Sequence, residues 1–223
     1  MTPTSRPENP ASDLAQRIGD VIRPAVARAW TSDRVQQLRR VIQNAHVPNA
    51  SGQRLIAAHH EVVVGADHTE RSATTTLVIE ATADDLRGWS ISLDLDEGQQ
   101  VSAEALLGCT LGRVIPVDEG ADVYEFLFDP PVEQGEKRRT RHRLNFQGGT
   151  ACTTMGYSLS RPAQLLTLTV NFEGPLPTRV WHSVRPEQGQ AEAKVQQELT
   201  VGPMVELVLS DPGAGRHTID WEW

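Results

Sequence analysis

The chain has 223 residues, 39% hydrophobic and 22% charged, with a formal net charge of −8. That length suits one large domain, or an ordinary domain with a small attachment, and the composition excludes fibrous and disordered classes. The acidic balance disfavours general nucleic-acid binding, and no stretch approaches the ~20 consecutive apolar residues of a membrane-spanning helix.

The first eleven residues hold three prolines among Ser, Thr, Asn and Glu, too little apolar surface to order, so residues 1–11 are predicted to be a disordered tail. No apolar run follows a basic start, so no secretory signal is read and a cytoplasmic protein is expected. From Ser12, a plausible N-cap, Leu14, Ile18, Val21, Ile22, Ala25, Val26, Ala29 and Trp30 recur at helical spacing, with Pro24 a candidate kink. Thr31, Ser32 and Asp33 cap a second run, Val35, Leu38, Val41, Ile42 and Ala45, which ends at VPNASG. Residues 12–58 are therefore read as a two-helix element. Its arginines invite a DNA-binding reading over residues 32–46, but Asp13, Asp20 and Asp33 dilute their charge, and a docking or homodimerisation hairpin is preferred.

After residue 58 the apolar period changes from 3.6 to 2. HEVVVGA, TTTLVIEAT and WSISLDLD are β-branched, alternating stretches. CTLGRVIPV, DVYEFLFD, RTRHRLNFQ, QLLTLTVNFE, TRVWHSV, AEAKVQQEL, MVELVLSD and HTIDWEW follow, separated by Gly-, Pro- and Asp-rich turns. SAEALLG at 102–108 is the one stretch between them with helical character. Many short strands without intervening helices predict a mainly β protein, an antiparallel β-sandwich of about ten strands over residues 59–223. Ile219, Trp221 and Trp223 alternate with polar residues, so the chain end reads as a core strand rather than a loose terminus.

Two cysteines, Cys109 and Cys152, do not make a disulfide framework. GYSLS at 156–160 lacks the second glycine of a nucleophile elbow, and no glycine-rich phosphate loop occurs. His60 and His68, with His59, Glu61 and Asp67 nearby, form the candidate metal-ligand group if a hairpin brings the two histidines together. Cys152 lies in a small-residue loop downstream of a basic strand that can lower a thiol pKa.

That strand is the most unusual local feature. Lys137, Arg138, Arg139, Arg141 and Arg143 contribute five positive charges, leaving −13 on the rest of a chain whose total is −8. Alternation puts Arg139, Arg141 and Arg143 on one face with Asn145. Either cross-strand carboxylates answer them, with Asp94, Asp96, Asp122 and Glu125 available, or the row is a site for an anionic ligand or acidic partner. In NFEGPLPTRVW, Phe172, Pro175, Pro177, Arg179 and Trp181 form an aromatic turn that either closes one end of the core or offers an interaction surface.

The leucine-rich strand, the DPG turn, the final I-x-W-x-W and FEGPLPTRVW together resemble uncharacterised actinobacterial β-sandwich domains, some attached to helix-turn-helix regions. The resemblance implies a sensory or interaction role and carries no catalytic residues across. The sequence thus predicts a non-enzymatic regulatory or interaction protein without a cofactor. It would bind a protein partner or small anionic ligand through Arg139, Arg141, Arg143 and Trp181. The rival reading is a β-barrel enzyme using a metal at His60 and His68 or the Cys152 thiol.

Overall fold

The computed structural model describes residues 52–118, 120–185 and 194–223. The proline-rich tail and the two expected helices, with the DNA-binding and dimerisation readings placed on them, lie outside the described residues. Within these, the protein is mainly β: thirteen strands in three sheets, with no helix among the described residues.

The largest sheet runs β12 (Met204–Ser210), β9 (Leu165–Phe172), β1 (Gln53–Val64), β2 (Glu70–Ala81), β7 (Lys137–Gln147), β4 (Gln100–Leu107). A four-stranded sheet runs β11 (Lys194–Leu199), β10 (Arg179–Arg185), β13 (Gly215–Glu222), β8 (Thr154–Leu159). A three-stranded sheet runs β3 (Leu86–Asp94), β6 (Ala121–Val132), β5 (Thr110–Asp118). One face of the large sheet meets both smaller ones. His60 of β1 lies 5.9 Å from Tyr157 of β8, and Phe172 of β9 packs edge-on against Trp221 of β13 at 5.3 Å. Toward the other end, His142 of β7 packs 4.5 Å from Phe126 of β6 and 5.8 Å from Trp89 of β3. Val62, Val64, Ile79, Leu166, Leu168, Val170, Phe126 and Ile219 are buried between these layers.

Every stretch with clear period-2 alternation is a strand, but four details depart from the sequence reading. Strand β1 begins at Gln53, so residues 53–58, assigned above to the helical element, are extended. SAEALLG is not helical: it belongs to β4, where Val101, Ala103 and Ala105 turn inward and Ser102 and Glu104 pair with Asn145 and Arg143 of β7. Pairing along an existing strand overrides the helix propensity of Ala, Glu and Leu. GYSLS, not among the stretches read as strands, falls on β8, which pairs antiparallel with β13 through Tyr157↔His217 and Gly156↔Thr218. Gly156 there faces His217 and Thr218 so closely that a Cβ would sit 2.6 Å from each. The fourth departure is pairing direction: β1 runs parallel to β9, from Ala57↔Leu165 to Val64↔Phe172, while all other neighbours are antiparallel.

The terminal strand is the interior strand that the tryptophan spacing indicated. Ile219 and Trp221 are buried, and burying a large apolar side chain contributes roughly 1.5–3 kcal/mol. Trp223 is half-buried and joins two distant turns. Its ring stacks on His68 at 3.8 Å, and its indole N–H donates to the Cys152 carbonyl at 3.0 Å. The Cys152 amide in turn donates to the His68 carbonyl at 2.9 Å, which closes the knot.

Candidate functional site

The outer face of the six-stranded sheet carries polar side chains in rows set by the strand register. One row reads Glu206, Thr169, Glu61, Thr74, Arg143, Glu104 across β12, β9, β1, β2, β7 and β4. The next reads Val208, Thr167, His59, Thr76, Arg141, Leu107. At the β12 side the polar groups satisfy one another: the Asn171 amide donates to Glu61 at 2.9 Å, and His59 Nε2 meets the Thr169 hydroxyl at 3.0 Å. No alternation in the sequence pointed to this ladder, because its members come from strands whose order is not local information.

The arginine row lies on the opposite side of the same face. Arg139 is exposed, Arg141 and Arg143 are half-buried, and Thr140, His142 and Leu144 point into the core, as the alternation indicated. The four carboxylates proposed to answer the row do not flank β7. Asp94 lies on β3, and Asp96, beyond its end, accepts from the Thr150 amide and hydroxyl at 2.8 and 2.7 Å. Asp122 and Glu125 lie on β6, where buried Glu125 holds Arg113 through contacts of 2.9 Å at both oxygens. The strands that flank β7 are β2 and β4. Their nearest carboxylate to the row is Glu104, opposite Arg143, and it accepts the Asn145 amide at 2.7 Å. Arg143 Nε instead donates to the Thr74 hydroxyl at 3.1 Å. The buried Nε of Arg141 has no hydrogen-bond partner, and among the described residues none of the three arginines forms an ion pair.

Like charges two positions apart on a strand are ~7 Å apart, which costs about 0.6 kcal/mol per neighbouring pair in water-like dielectric. The row is thus tolerated without a ligand and relieved by an anion. Planar guanidinium forks at regular spacing suit carboxylate or phosphate oxygens.

Trp181 does not join this row. It lies on the outer face of the four-stranded sheet, opposite Glu198 and Asp220, with the Arg179 guanidinium 5.4 Å from its ring centre. A shallow recess there is lined by Thr153, Thr154, Asp220, Glu222 and the three tryptophans Trp181, Trp221 and Trp223. The Asp220 carboxylate accepts the hydroxyls of Thr154 at 2.6 Å and Thr218 at 2.9 Å. Such acidic surroundings differ in kind from the arginine face.

The candidate metal pair is separated. His60 points inward from mid-β1, with Nδ1 2.8 Å from the Thr75 hydroxyl. His68 sits in the following turn, stacked on Trp223. The four residue steps from His60 to Val64 alone span ~13 Å of strand. Among the described residues no three His, Cys, Asp or Glu side chains converge as a metal site would require. The Cys152 thiol lies 3.3 Å from the His68 carbonyl, and burial pushes the Cys109 thiol up to about 11. Three further histidines are buried. His142 has an unpartnered Nδ1 and is held down to about 4 by desolvation, while His182 stacks on His217 at 5.8 Å and is lowered by burial and then by that neighbour.

No family model and no curated protein matches the chain. Among solved structures it is similar to a candidate protease from Parabacteroides distasonis, at 8% identity and TM-score 0.48 over 78% of this chain and 41% of that one. It is also similar to an M1 zinc metallopeptidase from Deinococcus radiodurans, at 15% identity and TM-score 0.41 over 77% of this chain and 43% of that one. The chain spans less than half the length of either.

Proposed function

We propose that the chain is a non-enzymatic binding module, a β-sandwich that offers Arg139, Arg141 and Arg143 to a carboxylate- or phosphate-bearing ligand or to an acidic segment of a protein partner. The observation that supports this reading is the unanswered row itself: three guanidiniums on one sheet face, one of them with a buried unpartnered Nε, and no ion pair to any of them among the described residues. A regulatory role in the cytoplasm is part of the same reading, because an acidic chain with one concentrated basic strand discriminates among anionic partners rather than attracting all of them.

A labelled oligo-aspartate peptide and inorganic pyrophosphate serve as probes in fluorescence polarisation and calorimetry. Saturable binding is expected, weakening as salt rises. Replacing the row with R139S/R141S/R143S should lower affinity at least 10-fold, the size of one charge-assisted contact of about 1.5 kcal/mol. Binding of neither probe, or equal binding by the triple variant, would overturn the reading.

A further inference from the structure

Strand β12 closes one edge of the six-stranded sheet, and its sequence, MVELVLS, contains no proline, glycine, lysine or bulge. Natural sheets blunt their edges with such devices, with short strands or with covers. Other edges here show them. Strand β4 is bulged between Ala105 and Leu107, β5 is bulged twice and contains Pro116, and β8 has only six residues. On β12, Met204 and Val208 stand 60% and 55% exposed on the outer face.

The hydrogen-bond phase of β12 follows from the two bonds that bracket its ladder with β9. The Phe172 amide donates to the Pro203 carbonyl at 2.8 Å, and the Asp211 amide donates to the Gln164 carbonyl at 2.9 Å. Bonded pairs alternate along an antiparallel ladder, so Val205, Leu207 and Leu209 bond to β9. Met204, Glu206, Val208 and Ser210 turn their N–H and C=O groups to the free edge, where no described strand receives them.

We propose that this edge is a self-complementary seam, at which β12 of a second copy of the chain pairs antiparallel about a two-fold axis at Leu207. Only pairs in which both residues point outward can bond. The axis at Leu207 makes four such pairs, Met204 with Ser210 and Glu206 with Val208 of the second copy, each occurring twice, for about eight hydrogen bonds. Moving the axis to Glu206 leaves three pairs and sets one carboxylate directly against its own copy, which is unfavourable. Moving it to Val208 also leaves three. The Leu207 axis therefore wins on both hydrogen bonding and charge, places the two Leu207 side chains together on the core face, and joins two six-stranded sheets into one of twelve. The second copy is the occupant because the register is solved by the strand's own sequence, with each Glu206 beside an apolar Val208 rather than another acid.

The test is sedimentation equilibrium of the full chain with three substitutions at Val208, which leave the β9 ladder intact because that residue bonds outward. Wild type is expected to dimerise. V208K meets Glu206 of the second copy and should dimerise at least as tightly. V208E sets two carboxylate pairs face to face and should weaken dimerisation at least about 10-fold. V208P removes the outward N–H and should be monomeric with an unchanged circular dichroism spectrum. A monomeric wild type at about 100 µM overturns the proposal. So does equal dimerisation of V208K and V208E, which would move self-association elsewhere, and this comparison remains decisive even if V208P fails to fold. None of these variants touches the arginine row, so the outcome is independent of anion binding.

Discussion

His142 makes the stability of the protein pH-dependent in a calculable way. Its imidazole is buried against Phe126 and Trp89, with Nδ1 unpartnered, and desolvation lowers its pKa from the ordinary histidine value of about 6.5 to about 4. Above pH 6.5 neither the folded nor the unfolded chain protonates it, and it imposes no penalty. Between pH 6.5 and 4 the unfolded chain takes up a proton that the folded chain refuses, so stability falls as pH falls through this window. At pH 5.0 the loss relative to pH 7.5 is about 2 kcal/mol, approaching about 3 kcal/mol below pH 4. Urea unfolding of wild type and H142F, followed by tryptophan fluorescence at both pH values, isolates this contribution, since the remaining titrating groups are shared. Phenylalanine suits the aromatic pocket and carries no orphan nitrogen. The stability difference between pH 7.5 and 5.0 should be about 2 kcal/mol smaller in H142F than in wild type. Equal pH sensitivity of the two proteins would refute a buried, neutral His142.

Trp223→Ala removes the stack on His68 and the hydrogen bond to Cys152 and should lower stability by about 2–3 kcal/mol, read as a thermal shift of several degrees. Trp223→Phe keeps a stacking ring and should lose only about 1 kcal/mol; equal losses would assign the effect to the Cys152 hydrogen bond alone. Gly88→Ala places a Cβ 2.0 Å from the Phe126 carbonyl at a φ of +150°. Because backbone cannot yield there, β3 should detach from β6, with a loss above about 3 kcal/mol and a red-shifted Trp89 emission; a native-like melting curve for this variant would show that β3 can relax at the register shift between Leu86 and Gly88.

The strands legible in the sequence are those whose side chains differ on their two faces. In β7, Thr140, His142, Leu144 and Phe146 are buried while the arginines are not, and that alternation is local information. Strand β4 was hidden because its Ala and Ser side chains differ little between faces, and its neighbour β7 imposes the extended form. The inward turn of Ile219 and Trp221 was legible for the same reason that β7 was. What pairs with what was not. Of the carboxylates named as partners of the arginine row, Asp94, Asp122 and Glu125 sit in another sheet and Asp96 lies beyond the end of β3, and Trp181 lies among Glu198, Asp220 and Glu222 instead of beside the arginines. Spacing along the chain carries no record of strand order, least of all for a parallel pair joined across a hundred residues.

That parallel pair shapes the order in which the protein can be made. Strand β1 is the third strand of six, yet its partner β9 leaves the ribosome 108 residues after it, as Ala57 and Leu165 show. At typical translation speeds the nascent β1–β2 hairpin keeps one side unclaimed for roughly 5–20 s. Until β9 emerges, the Val62 and Val64 backbone is an open strand edge at which any extended chain nearby can pair.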